Sequence, residues 1–161
     1  MLQRYWSDCI EWVNRLPSIP LAFLALVLSY MAAVPVIVIA LVRPDISFDG
    51  PNLGSRGLVT MILLGCLIAP VVETLIFQWA CVRLFDKLRC PTGLTIVISA
   101  ALFGLAHTYS APYVAMTFVV GLVLAATFVI EDRRGGRPFL VTMSVHMMRN
   151  AITALYFVAT R

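Results

Sequence analysis

The stretch LIAPVVETLIFQ, residues 67–78, decides the fold because it places one carboxylate, Glu73, inside an apolar run that extends from Gly57 to Val82. A helix needs about 20 mostly apolar residues to cross the hydrocarbon core of a bilayer, and this run satisfies that length. An ionisable group inside such a run costs on the order of 2.5–3.5 kcal/mol on insertion, so it normally faces a bundle interior or a wet cavity. The stretch therefore predicts a membrane-spanning helix whose carboxylate serves a function.

The composition of the whole chain is typical of a polytopic membrane protein. Of its 161 residues, 61% are hydrophobic and 12% are charged, and long uncharged runs separate short charged blocks. The net charge of +4 is interpreted as loop charge beside a membrane surface, so we expect the lipid bilayer and no nucleic acid as a partner. We predict an all-α polytopic helix bundle, a single membrane domain over residues 1–161 with about five spans, at roughly 21–42, 57–82, 93–109, 112–130 and 138–159.

Residues 1–16 are predicted to form an amphipathic helix that lies in the membrane interface and ends at Pro17. Its apolar residues recur at helical spacing and include two tryptophans and a tyrosine. In a five-span arrangement, eight Lys and Arg residues fall on the side of the N-terminus and three fall on the other side, which predicts a cytoplasmic N-terminus. The segment EDRRGGRP, residues 131–138, is interpreted as an ordinary connecting loop.

A few strongly polar side chains remain inside the predicted spans, and they lie at similar depths. Counted at 1.5 Å per helical residue from the cytoplasmic ends, the depths are about 14 Å for Glu73, 12 Å for His146, 18 Å for Asn150 and 21 Å for His107. His146 and Asn150 are four residues apart and therefore project from one face of the last helix. We expect three helices to bring these groups together. The full set is Glu73, Gln78, His107, His146, Arg149 and Asn150.

One carboxylate and two imidazoles, held away from bulk water, suit general acid–base work on a bound water molecule. The amide of Asn150 beside His146 is suited to donating hydrogen bonds to a developing oxyanion. A serine nucleophile is the less favoured alternative, because neither Ser99 nor Ser144 is placed three or four residues from a histidine on its own helix.

These residues resemble the three motifs of the CAAX-protease and bacteriocin-processing (CPBP) family of glutamic-type intramembrane proteases. The family motifs are EExxxR, FxxxH and HxxxN or HxxxD, in that order and on separate helices. Here ETLIFQ at 73–78 occupies the first place, FGLAH at 103–107 matches the second and HMMRN at 146–150 matches the third. The resemblance covers roughly residues 57–160, which we take as the catalytic-type core.

The resemblance implies an intramembrane endopeptidase that uses neither a cofactor nor a metal ion. It implies that Glu73 is the catalytic carboxylate, that His107 helps to activate the water, and that His146 and Asn150 form the oxyanion site. Phe103 matches the motif phenylalanine and is expected to pack. The expected substrate is a membrane-associated or lipid-modified polypeptide, and the expected location is the cytoplasmic membrane, with several spans. The sequence leaves the cleavage site and the oligomeric state open.

Two positions depart from the family pattern, since Thr74 replaces the second glutamate and Gln78 replaces the arginine. The paired loss of an acid and a base keeps the local charge balanced. Arg149 suggests a compensating ion pair with Glu73, and the alternative is that Arg149 faces a hydrated vestibule.

Two other classes of function stay open. Two histidines and one glutamate also form a zinc-hydrolase ligand set, although the sequence contains no HExxH motif. The other class is a non-enzyme: an inactive relative that acts as a membrane scaffold or immunity protein, or a small transporter with a proton-coupling carboxylate.

Overall fold

The computed structural model describes residues 11–43, 45–47, 49–51, 55 and 57–160, and these residues contain helices and connecting turns but no strand. The predicted interfacial helix lies mostly outside the described residues; its last part, residues 11–15, is helical and is followed by a bend before Pro17. The predicted all-α helix bundle is confirmed. Its main helices are α1 (Ser18–Met31), α2 (Val34–Val42), α3 (Leu58–Lys87), α4 (Thr92–Leu105), α5 (Ala111–Arg133) and α6 (Pro138–Ala159).

Helices occupy all five predicted spans, but they differ in how well they suit a membrane. Three candidate spans, Ser18–Val36, Leu58–Lys87 and Ala111–Arg133, are long and apolar enough to cross it. Helix α4 has 14 residues and is shorter than a full span. Helix α6 has 22 residues, but the polar residues that it carries make it less apolar than these three. The count of five spans therefore stays a prediction. The apolar helices are those of a helical membrane protein.

The helices differ from two of the predicted spans in where they break or end. The first span is broken at Ala32 and Ala33, because Pro35 lacks an N–H and its ring clashes with the carbonyl four residues earlier, at the end of α1. The helix of the second predicted span continues beyond Val82 to Lys87, past the end of the apolar run.

Helix α3, which carries Glu73, is wider than a regular α-helix on both sides of that residue. Its hydrogen bonds follow the π pattern over Met61–Ile68 and again over Thr74–Ala80, with an α-helical segment, Ala69–Glu73, between them. Pro70 lies in that middle segment and donates no backbone hydrogen bond, which interrupts the regular ladder. Wide turns of this kind leave carbonyl groups that a neighbouring helix can bind.

Helices α4 and α5 form a hairpin in which small residues allow the two backbones to touch. A Cβ atom added at Gly104 would lie 3.1 Å from the Cα atom of Phe118, and one added at Gly121 would lie 3.0 Å from the Cα atom of Ala100. Small residues at such crossings let helices approach closely in membranes, where dispersion contacts drive association. The hairpin therefore holds the end of α4, and the histidine that follows it, in a fixed position against α5.

The core lies where α1 and α6 pack on this hairpin. Phe103 and Leu124 of the hairpin are buried together with Leu26 of α1 and Val145 of α6. Many large apolar side chains on the outer faces of the helices are exposed, as is expected of surfaces that face lipid. The core thus places one face of α6 directly against Phe103.

At the end of α5 a buried carboxylate joins three parts of the chain. Glu131 is fully buried; it pairs with the guanidinium of Arg134, accepts a hydrogen bond from the hydroxyl of Ser18, and lies 3.4 Å from the backbone N–H of Arg137. A side chain at Gly136 would collide with the Glu131 carboxylate. The segment 131–138, interpreted from the sequence as an ordinary connecting loop, therefore links the α5–α6 turn to the start of α1 through the contacts of Glu131.

Candidate active site

The carboxylate of Glu73 meets both histidines. Its Oε2 atom lies 3.7 Å from Nε2 of His107 and 3.5 Å from Nε2 of His146. The side chain of Glu73 is 23% exposed, whereas that of His146 is 4% exposed, so the carboxylate is the more accessible of the two groups. The carboxylate of α3, the imidazole that follows α4 and the imidazole of α6 thus lie close together, as their similar depths predicted.

His107 follows the last turn of α4 and is oriented by its own helix. Its Nδ1 atom lies 2.7 Å from the carbonyl oxygen of Phe103. Because a carbonyl oxygen only accepts hydrogen bonds, Nδ1 carries a proton, and Nε2 faces Glu73; in the neutral ring this atom has a lone pair. The ring of Phe103 supports both imidazoles, with centroid distances of 4.6 Å to His107 and 5.6 Å to His146. Phe103 packs, as its motif position implied.

Asn150 lies one turn after His146 on α6 and binds the wide part of α3. Its Nδ2 atom donates a 2.8 Å hydrogen bond to the carbonyl of Gly65, within the first π-helical segment. The amide group has two N–H bonds, and this contact uses one of them. Asn150 therefore fixes α6 against α3 and keeps a second donor on the side chain.

These residues line a cavity of about 210 Å³. Several of the lining side chains were not predicted from the sequence, chiefly Tyr109 in the turn after His107 and Tyr113 in the first turn of α5. The Tyr113 ring lies 6.0 Å from that of His107, and Pro51 from the preceding loop also contacts the cavity. The sequence signal for these two side chains is the pair of tyrosines shortly after the FxxxH motif, and such a pair is also typical of an ordinary turn at the membrane interface.

Arg149 does not form the expected ion pair with Glu73, whose carboxylate instead faces the two histidines. Its guanidinium lies over the ring of Tyr30 of α1, 5.7 Å from the centroid, and the Tyr30 hydroxyl donates to the main-chain oxygen of Arg149. The arginine also lines the cavity. The compensation hypothesis is therefore wrong as a direct contact, and the alternative of a vestibule-facing arginine describes the position better.

The two departures from the family pattern, Thr74 and Gln78, are fully buried behind Glu73. Among the described residues, neither the hydroxyl of Thr74 nor the two polar atoms of the Gln78 amide has a hydrogen-bond partner. Buried polar groups are usually paired, so these two positions are exceptions to that pattern.

Among the described residues, no group of three or more His, Cys, Asp or Glu side chains has an arrangement that could hold a metal ion. Glu73 and the two histidines come together through contacts centred on one carboxylate oxygen.

A family model described as type II CAAX prenyl endopeptidase Rce1-like matches residues 55–152, which include all three motifs. Searches of curated proteins and of solved structures found no match.

Proposed function

The chain belongs to the Rce1-like family of type II CAAX prenyl endopeptidases, and from this premise we propose that it is a glutamic-type intramembrane endopeptidase. Membership makes the chain a membrane protein of a protease family that acts on membrane-associated, prenylated polypeptides. The proposal adds the chemistry: a water molecule activated by Glu73 and His107 hydrolyses a peptide bond, without a metal ion or cofactor.

One observation carries the proposal, namely the position of the Glu73 carboxylate between two imidazole nitrogens. The separations of 3.5 Å and 3.7 Å are too long for direct hydrogen bonds and leave the groups free to bind a molecule in common. A water at this point would contact a carboxylate that can take its proton and an Nε2 lone pair that can orient it. This arrangement supports general-base activation of water.

In the proposed reaction, the oxygen of the water attacks the carbonyl carbon of the scissile bond while Glu73 takes up a proton. The carbonyl oxygen becomes negatively charged, and it is met by the second N–H of the Asn150 amide and by the ring of His146. Glu73 then returns the proton to the leaving amine as the peptide bond breaks. Preorganised donors of this kind each typically contribute a factor of about 10²–10³ to the rate.

The proposed substrates are polypeptides that a lipid group or a membrane segment brings to the bilayer. The proposed location is the cytoplasmic membrane, with the N-terminus in the cytoplasm. The orientation is tested by fusing a reporter enzyme after the last residue. We expect activity from a reporter that works only outside the cytoplasm. Activity from a reporter that works only in the cytoplasm would contradict a five-span arrangement.

The central test replaces Glu73 by glutamine, which keeps the shape of the side chain and removes its base. The purified protein in lipid vesicles is given lipid-anchored peptides, and mass spectrometry follows the new termini. We expect Glu73→Gln to lose at least about 100-fold in cleavage rate. Asp86→Asn, the same chemical change at an exposed position near the end of α3, is the matched control and should keep full activity.

The second candidate function, a non-catalytic scaffold or immunity protein, is favoured by one observation: Thr74 and Gln78 stand where the family has its acid and base. In that case wild-type protein and Glu73→Gln would both leave every peptide intact. A cellular phenotype that needs the chain but tolerates Glu73→Gln would favour the scaffold over the peptidase.

A further inference from the structure

An open groove of about 460 Å³ lies between the start of α1 and the first two turns of α6, and it has no lining residue in common with the catalytic cavity. Ser18 lines it on the side of α1. On the side of α6, Arg137, Leu140, Val141 and Ser144 follow the spacing i, i+3, i+4 and i+7, so they form one face of the helix. Along this face the groove changes from a cation to apolar side chains.

Two glycines of the α5–α6 turn keep the polar end of the groove open. A Cβ atom added at Gly135 would meet nothing within 4 Å, whereas one added at Gly136 would collide with the carboxylate of Glu131. That carboxylate is fully buried and is paired with Arg134. An anion in the groove is therefore separated from solvent-accessible negative charge, because the acid beneath it is already compensated.

The guanidinium of Arg137 is the cation of this groove. The residue is exposed, and its backbone N–H, 3.4 Å from the carboxylate of Glu131, makes its described contact. Among the described residues, its side chain has neither an ion pair nor a hydrogen bond. The neighbouring Arg134 is already bound to Glu131, to the hydroxyl of Ser18 and to the carbonyl of Leu16. The side chain of Arg137 is thus available to an anion from outside the chain.

Positive charge is in excess at this end of the bundle, where contacts of Ser18 with Glu131 and of Thr92 with Arg133 join three segments of the chain. The described segments 11–18, 83–92 and 131–138 contain seven Lys and Arg residues and four Asp and Glu residues. Three of the four acids are already in ion pairs with arginines. Such an excess attracts an anionic lipid headgroup and repels the cationic group of a zwitterionic one. The seven cations are Arg15, Arg83, Lys87, Arg89, Arg133, Arg134 and Arg137.

The length of the groove distinguishes a phospholipid from a small anion. Arg137 and Ser144 are seven residues apart, which is about 10 Å along a helix. The headgroup region of each leaflet is roughly 5–8 Å thick, next to a hydrocarbon core of about 30 Å. A groove that begins with a cation at the headgroup level and runs about 10 Å along the helix therefore continues into the acyl chains, where Leu140 is 47% exposed. A phospholipid has a phosphate and an apolar chain in the same order, whereas a free phosphate would contact the cation alone.

We propose that this groove binds one anionic phospholipid, whose phosphate contacts Arg137 and whose acyl chain lies along Leu140 and Val141. The small side chain of Ser144 leaves space for that chain at the deep end of the groove. The bound lipid contacts both α1 and α6, so it stabilises the packing of these two helices. The inference depends on the membrane location of the chain and is independent of the proposed peptidase function.

The first experiment measures binding of the headgroup through protein stability. Purified full-length protein in a neutral detergent is heated with phosphatidylglycerol, with phosphatidylcholine of the same acyl chains, or with soluble glycerol 3-phosphate. We expect phosphatidylglycerol alone to raise the unfolding temperature, since a ligand that binds the folded state stabilises it. Arg137→Gln should require at least about fivefold more of this lipid for the same shift. Lys87→Gln, the same change at an exposed cation outside the groove, is the matched control and should respond as the wild type does.

The second experiment fills the apolar part of the groove. Ser144→Phe should require at least about fourfold more phosphatidylglycerol for the same shift, the equivalent of one methylene group removed from its contact. Leu155→Phe, which enlarges a side chain on the exposed surface of α6 outside the groove, is the matched control. Native mass spectrometry of protein taken from vesicles with equal amounts of the two phospholipids counts the lipids that stay bound. We expect one phosphatidylglycerol on the wild type and on Lys87→Gln, and none on Arg137→Gln.

Four results would overturn the lipid site. Equal shifts with the two phospholipids would remove the role of the headgroup charge, and an equal shift with glycerol 3-phosphate would assign the cation to a free phosphate. Equal losses in Arg137→Gln and Lys87→Gln would assign the effect to the overall charge of this end of the bundle. Equal responses of Ser144→Phe and Leu155→Phe would show that the acyl chain lies elsewhere. Because none of these measurements requires turnover, each result leaves the peptidase proposal to its own test.

Discussion

The contact between α4 and α5 predicts a large effect of a single methyl group. In Gly121→Ala the new Cβ would lie 3.0 Å from the Cα atom of Ala100 and 3.1 Å from the ring of Phe103. Ordinary contacts between carbon atoms are about 3.5–4.0 Å, so the helices must separate by roughly 0.5–1 Å. Phe103 supports both histidines, so this displacement reaches the site.

Two energies act in opposite directions in this variant. Alanine gains about 1 kcal/mol over glycine within a helix, while overpacking costs about 1–3 kcal/mol. Gly93→Ala, in the first turn of α4, is the matched control, because a Cβ there would meet nothing within 4 Å. We expect Gly93→Ala to be neutral or slightly stabilising and Gly121→Ala to be destabilised relative to it by about 1–3 kcal/mol.

Thermal unfolding in detergent measures the stability term, and cleavage of the lipid-anchored peptides measures the catalytic one. A displacement of about 1 Å in a catalytic group can cost about 100-fold in rate, so Gly121→Ala should lose more activity than its stability alone explains. If Gly121→Ala and Gly93→Ala unfold at the same temperature and cleave equally well, the hairpin does not fix the site and the reasoning is wrong.

Three further predictions test other parts of the structure. Asn150→Ala should lower the cleavage rate about 10²- to 10³-fold, whereas Ser144→Ala on the same helix should leave it unchanged; a lost activity in the serine variant would revive a serine nucleophile. Glu131→Gln should lower the free energy of unfolding, measured by denaturant titration, by about 3 kcal/mol, because it breaks a buried pair with Arg134. The neighbouring Asp132→Asn removes a more exposed pair and should cost at most about 1 kcal/mol. Prolonged treatment with metal chelators should leave cleavage unaffected, and a loss restored by added zinc would favour the metallohydrolase alternative.

The convergence of Glu73, His107 and His146 could be predicted because hydrocarbon offers no other partners. Polar groups on three helices at one depth lower their cost by facing each other, so depth and helical spacing sufficed. The partner of Asn150 could not be predicted in this way. It is a backbone carbonyl in a widened turn of α3, and the position of a π-helical segment depends on tertiary contacts that composition does not report.

The charged residues outside the spans were harder to interpret than those within them. Glu131 stands in a segment rich in glycine and arginine, which is typical of solvent-exposed loops, yet it is fully buried. Its burial follows from the return of the chain past the start of α1, a long-range contact that local sequence does not specify. The stacking of Arg149 on Tyr30 depends on the relative position of two helices that are distant in sequence, which local sequence does not specify.

The buried and unpartnered side chains of Thr74 and Gln78 have a consequence for how this family can change. Glutamate alone at position 74, or arginine alone at position 78, would bury a single unmatched charge, whereas the two together form a compensated pair one turn apart. The two sites are therefore epistatic, and any single substitution on the path between the charged pair and the neutral pair leaves one charge buried and unmatched.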